Sequence, residues 1–376
     1  MRPATATATA VTTILGAGAA AVAAGRYASD AALRAAPGRS LPADRRLTVH
    51  STAAGQVTLT RSFSALRPGT YGLTGPGVHA VVGPVVEGAP SAPDTVVRTV
   101  ERVTRGLLEP GAKVRLTTEL YDGDPGVDLG LDHQEVRIPG ELGPLPAWFV
   151  PGARDTWVIT LHGLGTTRAH PMNLMCFLHE QQFPVLDLAY RGDPGAPRPA
   201  DGLGRFGTSE WRDADAAIRY ALRYGAADVI LHGWSTGATM ALLAAVESPL
   251  RDRISGLVLD SPVLDWPVTL RALAAARGVP AALLPLAVRA AQGRTGMSGG
   301  PLVPVTSASA ELRTPTLILH GPDDTIAPWG PSRGLAARRP DLVSLHAVAQ
   351  APHGAMWNAG PARYEETLRR FLTPLM

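Results

Sequence analysis

From about residue 130 onward, the chain alternates continuous apolar runs with amphipathic segments of helical spacing. Such runs are typical of parallel strands that are buried on both faces, and the segments between them are typical of covering helices. The pattern therefore predicts an α/β fold with a mostly parallel central sheet and helices on both faces. The predicted strands are 157–161, 185–189, 229–231, 257–259, 316–319 and 343–348, after a hairpin at 136–138 and 147–150; the predicted helices are 170–182, 209–224, 236–248 and 361–371.

The first part of the chain has a different texture, with short runs rich in Val and Thr that Gly and Pro interrupt. Strands are predicted at 57–60, 78–82 and 114–118, and helical spacing from Asp94 to Leu108 predicts one helix. We therefore expect a small α+β accessory domain over residues 31–129, followed by a catalytic domain over residues 130–376. The acidic residues of the accessory domain and His79 are expected at its surface.

The alternation stops between two of the predicted strands, at about residues 265–311. Apolar helices are expected there at 270–276 and 281–292, followed by a stretch rich in Gly, Ser and Pro. An insertion at this place in the sheet is well placed to form a helical lid over a site. Its apolar content favours a substrate with a hydrophobic portion.

The N-terminal segment, within residues 1–30, has no charge from Pro3 to Gly25. A stretch of about 20 apolar residues can span a bilayer, so a membrane anchor is predicted; a cleaved secretory signal is the close alternative, and a cytoplasmic helix is also compatible with the composition. A glycine motif beginning at Gly16 resembles a dinucleotide turn. That site needs an acid about 20 residues later, and Asp30 comes too early. No cofactor is predicted.

Composition narrows the classes of function. Of the 376 residues, 45% are hydrophobic and 18% charged, which is typical of a globular protein. The net charge is only +3, the basic residues are scattered and aromatic residues make up 5%, so nucleic-acid binding is not expected. The single cysteine, Cys176, lies in an apolar stretch and is interpreted as a small buried side chain. No Cys/His cluster has zinc-ligand spacing, so no metal is predicted.

Ser235 lies in a G-x-S-x-G motif from Gly233 to Gly237, directly after a predicted strand and before a predicted helix. A sharp strand-to-helix turn exposes a nucleophile, and it needs very small neighbours two residues away on each side. Placement at this turn makes Ser235 a candidate nucleophile.

A second motif, His162-Gly163-Leu164-Gly165, ends another predicted strand. Acyl transfer creates a negative oxygen, and two backbone N–H groups must already point at it. The N–H groups of Leu164 and Thr236 are predicted to form this oxyanion hole, whereas the side chain of His162 is expected to be structural.

A serine hydroxyl needs a base, and a histidine held by a carboxylate acts as one near neutral pH. His353 follows one predicted strand, and Asp323 and Asp324 follow another. Asp260, at the end of a third strand, is an alternative acid. Asp213 and Asp215 are expected to be solvated or paired with arginines, and Arg191 to bind either an anionic substrate group or a structural partner.

From about residue 130 to the end, the chain resembles the α/β-hydrolase family. The resemblance is carried by the H-G-x-G loop, the G-x-S-x-G turn, the Gly321-to-Pro328 segment G-x-x-D-x-x-x-P and the order Ser, Asp, His. It selects Asp324 as the acid, because Gly321 and Pro328 frame it, and leaves Asp323 as a loop or capping residue. Within the family, the chain is similar to the esterase/lipase and prolyl-oligopeptidase-like branches.

The resemblance implies a serine hydrolase that acts on the carboxylic ester of a small acyl substrate through Ser235, His353 and Asp324. A serine peptidase or amidase with the same machinery is the alternative. A non-catalytic binding protein on this fold is a third possibility, although all three triad residues are present.

Overall fold

The computed structural model contains two β-systems, a closed six-stranded barrel and an eight-stranded sheet. It describes residues 22–30, 32–34, 46–90, 92–297 and 311–376. The barrel precedes the sheet in the chain, in the order predicted for an accessory unit and an α/β unit.

The barrel has the strand order β1-β2-β5-β4-β3-β6, and the pairing of β1 with β6 closes it. Alternate residues of β2 such as Val57 and Leu59 are fully buried, as expected for side chains that fill a small barrel. The strands are β1 Leu47–Ala53, β2 Gln56–Thr60, β3 Tyr71–Gly75, β4 Val78–Val85, β5 Thr95–Arg105 and β6 Lys113–Thr117.

The predicted helix from Asp94 to Leu108 is wrong, because Thr95–Arg105 is strand β5 and pairs with both β2 and β4. Register shifts in the β4–β5 pairing disturb the alternation of buried positions, and the remaining spacing of valines imitates a helix. Valine is β-branched and fits a strand better than a helix. His79 on β4 also departs from prediction, since only 4% of it is exposed.

The eight-stranded sheet has the order β14-β13-β12-β11-β9-β10-β8-β7. The β7–β8 hairpin is antiparallel, as is the β8–β10 pair, and the other pairs are parallel, so the predicted mostly parallel sheet is confirmed. Its strands are β7 Gln134–Gly140, β8 Gly143–Val150, β9 Thr156–Leu161, β10 Val185–Leu188, β11 Asp228–Trp234, β12 Ile254–Asp260, β13 Thr316–His320 and β14 Val343–Ala347.

Helices cover both faces of this sheet. One apolar cluster joins the sheet to α4 and α5, and a second joins its other face to α3 and α10. The helices are α1 over residues 22–30, α2 Pro125–Leu129, α3 Met172–Glu180, α4 Trp211–Arg223, α5 Thr236–Glu247, α6 Trp266–Ala276, α7 Leu284–Thr295, α8 Gly330–Arg338, α9 Met356–Ala359 and α10 Pro361–Leu372.

The two helices expected in the insertion are present as α6 and α7. Together with Ala28 and Leu33 near the N-terminus they form a separate apolar cluster, and Arg294 pairs with Asp30. The Gly/Ser/Pro-rich stretch after α7 lies largely outside the described residues. So does most of the predicted anchor or signal segment, including the Gly16 motif. Within the described ranges, no helix is both long and apolar enough to cross a membrane.

Candidate active site

Ser235 lies at a sharp turn between β11 and α5, with backbone angles φ 53° and ψ −114°. A Cβ atom on Gly233 would lie 2.3 Å from the carbonyl oxygen of Gly237, and one on Gly237 would lie 2.0 Å from that of Leu161. Neither position can hold a larger residue without a shift of backbone. The glycines of the motif are therefore required by the tight crossing of strand, turn and helix.

Three side chains that are distant in sequence form one hydrogen-bonded chain. The Oγ atom of Ser235 lies 2.6 Å from Nε2 of His353, and Nδ1 of His353 lies 2.7 Å from Oδ2 of Asp324. All three residues are buried. The structure thus brings together the predicted serine, histidine and acid in the predicted order of contact.

The carboxylate of Asp324 is held by more than His353. Its Oδ1 accepts the backbone N–H groups of Ile326 and Ala327 at 2.8 and 2.9 Å, and its Oδ2 lies 3.1 Å from Nε2 of His320. Burial opposes ionisation, but the charge of His353 and the hydrogen bonds from His320 and His353 outweigh it and hold the pKa of Asp324 well below its usual value. The group is ionised throughout the neutral range.

The other candidate acids have different partners. Asp260 is fully buried and accepts the hydroxyl of Ser261 at 2.7 Å, and burial raises its pKa to about 7. Asp323 accepts the backbone N–H of Gln350 at 2.7 Å, which agrees with its predicted role in a loop. Because Nδ1 of His353 bonds to Asp324, neither of these acids occupies the orienting position.

The predicted oxyanion residues belong to the two segments that meet at Ser235, the start of α5 and the loop after β9. Thr236 is the first residue of α5, and Leu164 follows Gly163, where an added Cβ would lie 2.8 Å from Cβ of Ser235. Among the described residues, no backbone carbonyl accepts the N–H of Leu164 or of Thr236. Thr236 thus lies at the N-terminus of α5, where developing negative charge is stabilised, and Leu164 follows a glycine that packs against the serine.

The hydrogen bonds found for the His162 side chain join it to the Gly163 carbonyl and to Asp193. Its Nε2 lies 2.7 Å from Oδ2 of Asp193, and its ring stacks on Tyr190 with centroids 4.4 Å apart. Burial lowers the pKa of His162, but the charge and hydrogen bond of Asp193, together with the Gly163 carbonyl and the charge of Asp187, outweigh burial and the net change is a rise. Its contacts are those of a structural residue.

Two further histidines, His170 and His232, are buried near the serine turn, and burial is the main cause that lowers the pKa of each to about 3. The ring of His232 stacks on Trp234 at 4.1 Å, and its Nε2 lies 3.0 Å from the hydroxyl of Tyr364. Both imidazoles are therefore neutral at physiological pH.

The remaining residues with two interpretations take structural partners. Arg191 forms an ion pair of 2.6 Å with buried Asp213 and a second of 3.0 Å with Glu141. Asp215 pairs with Arg219.

Cys176 is only partly buried, in contrast to the prediction, and burial is the main cause that raises its pKa. In the described ranges, no group of three His, Cys, Asp or Glu side chains is arranged to hold a metal ion.

Ser235 and His353 line a cavity of about 420 Å³ between the sheet and the barrel. No residue of α6 or α7 lines this cavity. The barrel and the segment that leaves it supply one wall, which the sequence did not predict, because a distant β-unit gives no local signal of where it docks. Its residues include Arg67, Tyr71, Thr74, His79, Arg105, Leu116, Glu119 and Tyr121.

The sheet order, the serine turn after β11 and the acid and histidine after β13 and β14 define the α/β-hydrolase fold. Solved structures of the Pyrococcus furiosus esterase Pf2001 share it. The structure of that esterase solved in space group P212121 is 21% identical to this chain in sequence. The alignment covers 68% of this chain and 94% of that chain, with a TM-score of 0.56. In space group P21 the identity is 20%, the coverage 68% and 96%, and the TM-score 0.54.

Sequence comparison finds less. A family described as a domain of unknown function, DUF8805, matches residues 48–117, which are the residues of the barrel. None of the curated proteins matches the chain in sequence. The predicted α/β-hydrolase fold is thus confirmed by structure, and the sequence match is confined to the barrel.

Proposed function

We propose that the protein is a serine hydrolase that cleaves carboxylic esters through an acyl-enzyme. The observation that carries this proposal is the chain of contacts from Ser235 through His353 to Asp324, at 2.6 and 2.7 Å. It is supported by the esterases that share the fold. The substrate is a small acyl compound that fits the cavity beside Ser235.

In the acylation step, Nε2 of His353 takes the hydroxyl proton of Ser235 while Oγ bonds to the ester carbonyl carbon. The carbonyl oxygen becomes an oxyanion and accepts the N–H groups of Leu164 and Thr236. The protonated His353 then gives its proton to the leaving oxygen, the C–O bond breaks and an alcohol departs. Asp324 remains ionised and stabilises the imidazolium throughout.

Deacylation reverses these roles with water. His353 takes a proton from water as its oxygen bonds to the acyl carbon, and the second tetrahedral intermediate uses the same two N–H groups. Collapse of that intermediate returns the proton to Oγ of Ser235 and releases a carboxylic acid. The reaction consumes one water, and no cofactor takes part in these steps.

The test is a panel of p-nitrophenyl esters of increasing acyl length, assayed beside peptide p-nitroanilides. We expect the esters to be hydrolysed faster, with a preference for acyl chains that have a hydrophobic portion. Because an activated ester is intrinsically more reactive than an anilide, cleavage of the anilides at rates comparable to those of the esters would instead assign a peptidase or amidase.

Two variants decide whether Ser235 is the nucleophile. Ser235→Ala is expected to lower kcat on the order of 10⁴-fold or more. The matched control is Ser255→Ala. Ser255 lies at the start of β12, away from the site, and its hydroxyl donates to the carbonyl of Val229. A fluorophosphonate should label the wild type and the control but not Ser235→Ala. A folded wild type that takes no label would favour a binding protein.

A further inference from the structure

The segment that leaves the barrel contacts the loop that bears Leu164. Glu119 comes two residues after the end of β6, and its Oε1 accepts both the backbone N–H of Thr167, at 2.7 Å, and the hydroxyl of Thr167, at 2.8 Å. Thr167 is three residues after Leu164. One carboxylate oxygen thus fixes both the backbone and the side chain at this point of the loop.

The other end of the same loop is fixed against the serine. Gly163 packs on Ser235 too closely for any side chain, and its backbone N–H donates to the hydroxyl of Thr166 at 3.1 Å. Beyond Thr167, the N–H of His170 returns to the Thr167 carbonyl at 3.0 Å. Leu164 therefore lies between one anchor on Ser235 and a second anchor on Glu119.

Glu119 is itself held at the seam between barrel and sheet. The side chain of Asn173 donates to the carbonyl of Thr118 at 2.7 Å and accepts the N–H of Leu120 at 3.3 Å. Asn358, five residues after His353, donates to the carbonyls of Thr118 and Thr70 at 3.1 and 3.0 Å. The residues on both sides of Glu119 are therefore fixed to the unit that carries Ser235 and His353.

We infer that Glu119 is a positioning residue for the oxyanion hole, through which the docked barrel aims the N–H of Leu164. The inference rests on the proposed function. The carboxylate acts on Thr167, and Thr167 sets the path of the loop across Leu164. A displacement of about 1 Å in a catalytic group, caused by a change remote from the chemistry, can lower a rate about 10²-fold. Loss of the contact between Glu119 and Thr167 is therefore expected to lower turnover measurably.

The experiment measures kcat, KM and the inhibition constant of an alkyl trifluoromethyl ketone, whose tetrahedral adduct places an oxyanion in the hole. For Glu119→Ala we expect kcat to fall on the order of 10- to 100-fold with KM changed by less than about threefold. The affinity for the ketone should fall by the same factor as kcat/KM, because both depend on the oxyanion hole.

Two further variants separate positioning from folding. Glu119→Gln keeps an acceptor for Thr167 and should retain kcat within about threefold, whereas Thr167→Val keeps the backbone bond, loses the hydroxyl bond and should show an intermediate loss. The matched control is Glu101→Gln, since Glu101 also accepts a threonine hydroxyl, that of Thr70 at 3.2 Å, but lies on the barrel away from the loop. It should behave as the wild type.

Several results would overturn the inference. These are an unchanged kcat in folded Glu119→Ala, a rise in KM alone, a ketone affinity that does not follow kcat/KM, or a loss in Glu119→Gln as large as in Glu119→Ala. If Glu119→Ala does not fold, Thr167→Val and Glu119→Gln still decide the matter by the same measurements. Failure of the proposed function is recognised separately, because the wild type and Ser235→Ala would then be equally inactive on the esters.

Discussion

The imidazole of His320 lies 3.1 Å from the same Asp324 oxygen that contacts His353, and its other nitrogen lies 2.9 Å from the hydroxyl of Ser332. Asp324 therefore bonds to two histidines through one oxygen and to two backbone amides through the other. His320 is the last residue of β13, four positions before Asp324. A strand and the turn that follows it thus hold the acid from two directions.

We expect His320→Asn to have a modest effect on turnover. Asp324 loses one donor, so its pKa rises, but His353 and two amides still favour the ionised carboxylate. At pH 8 kcat should fall by no more than about tenfold. Steady-state kinetics on a p-nitrophenyl ester measure this. A loss as large as that of Asp324→Asn would instead make His320 indispensable.

Replacement of each candidate acid by its amide distinguishes Asp324 from Asp260. Asp324→Asn should lower kcat on the order of 10⁴-fold, because the amide favours the wrong tautomer of His353. Asp260→Asn should cost less than about tenfold, since burial raises the pKa of Asp260 to about 7 and an amide resembles its neutral form. The two kcat values at pH 7 are compared. Equal losses of kcat in the two variants would contradict the assignment of Asp324 as the acid that orients His353.

Alanine substitutions at two glycines, one in the serine turn and one in α7, are expected to have opposite effects on stability. Gly237→Ala places a Cβ 2.0 Å from the carbonyl oxygen of Leu161, so it should destabilise the fold and abolish activity. Gly293 lies within α7, and an added Cβ meets nothing within 4 Å. Gly293→Ala should therefore stabilise the protein by about 0.5–1 kcal/mol. Urea unfolding measures both, and tolerance of Gly237→Ala would contradict the geometry.

Buried His232 makes stability depend on pH. Its folded pKa of about 3 lies below the ordinary 6.5, so between these values the unfolded chain takes up a proton that the folded protein does not. The free energy of unfolding therefore falls as the pH decreases through this window. His232→Gln removes this uptake. As the pH falls, the free energy of unfolding of the variant should therefore decrease less than that of the wild type, by on the order of 1 kcal/mol per pH unit.

Urea unfolding of the wild type and His232→Gln at several pH values between about 3 and 7 tests this linkage. The difference between the two free energies should change steadily across the window and level off above it. A difference that is independent of pH would show that His232 takes up its proton in the folded protein.

The parts of the site that depend on local geometry were predictable from sequence. Gly233, Ser235 and Gly237 belong to one turn, and steric contact alone dictates their spacing. Ser235, His353 and Asp324 follow strands of one largely parallel sheet, so their convergence follows once the apolar runs are assigned to strands. The choice of Asp324 over Asp323 required the family resemblance.

What the sequence did not predict depends on packing between distant units. The spacing of valines in strand β5 predicts a helix, because register shifts disturb the alternation of its buried positions. No sequence pattern distinguishes Glu119 from other acidic residues that follow a short strand, because its role depends on its contact with Thr167. The insertion was expected to cover the site, but the described cavity takes its opposite wall from the barrel.

The closure of the barrel brings its first and last strands side by side, with Leu47 opposite Val114 and Thr48 opposite Lys113. Entry and exit of this 48–117 module are therefore neighbours in space. A module of this kind can be gained, lost or exchanged without stretching the backbone on either side of it. The module can accordingly change independently of the hydrolytic machinery during evolution, within the limits set by contacts across the seam such as the hydrogen bond from Asn358 to the carbonyl of Thr70.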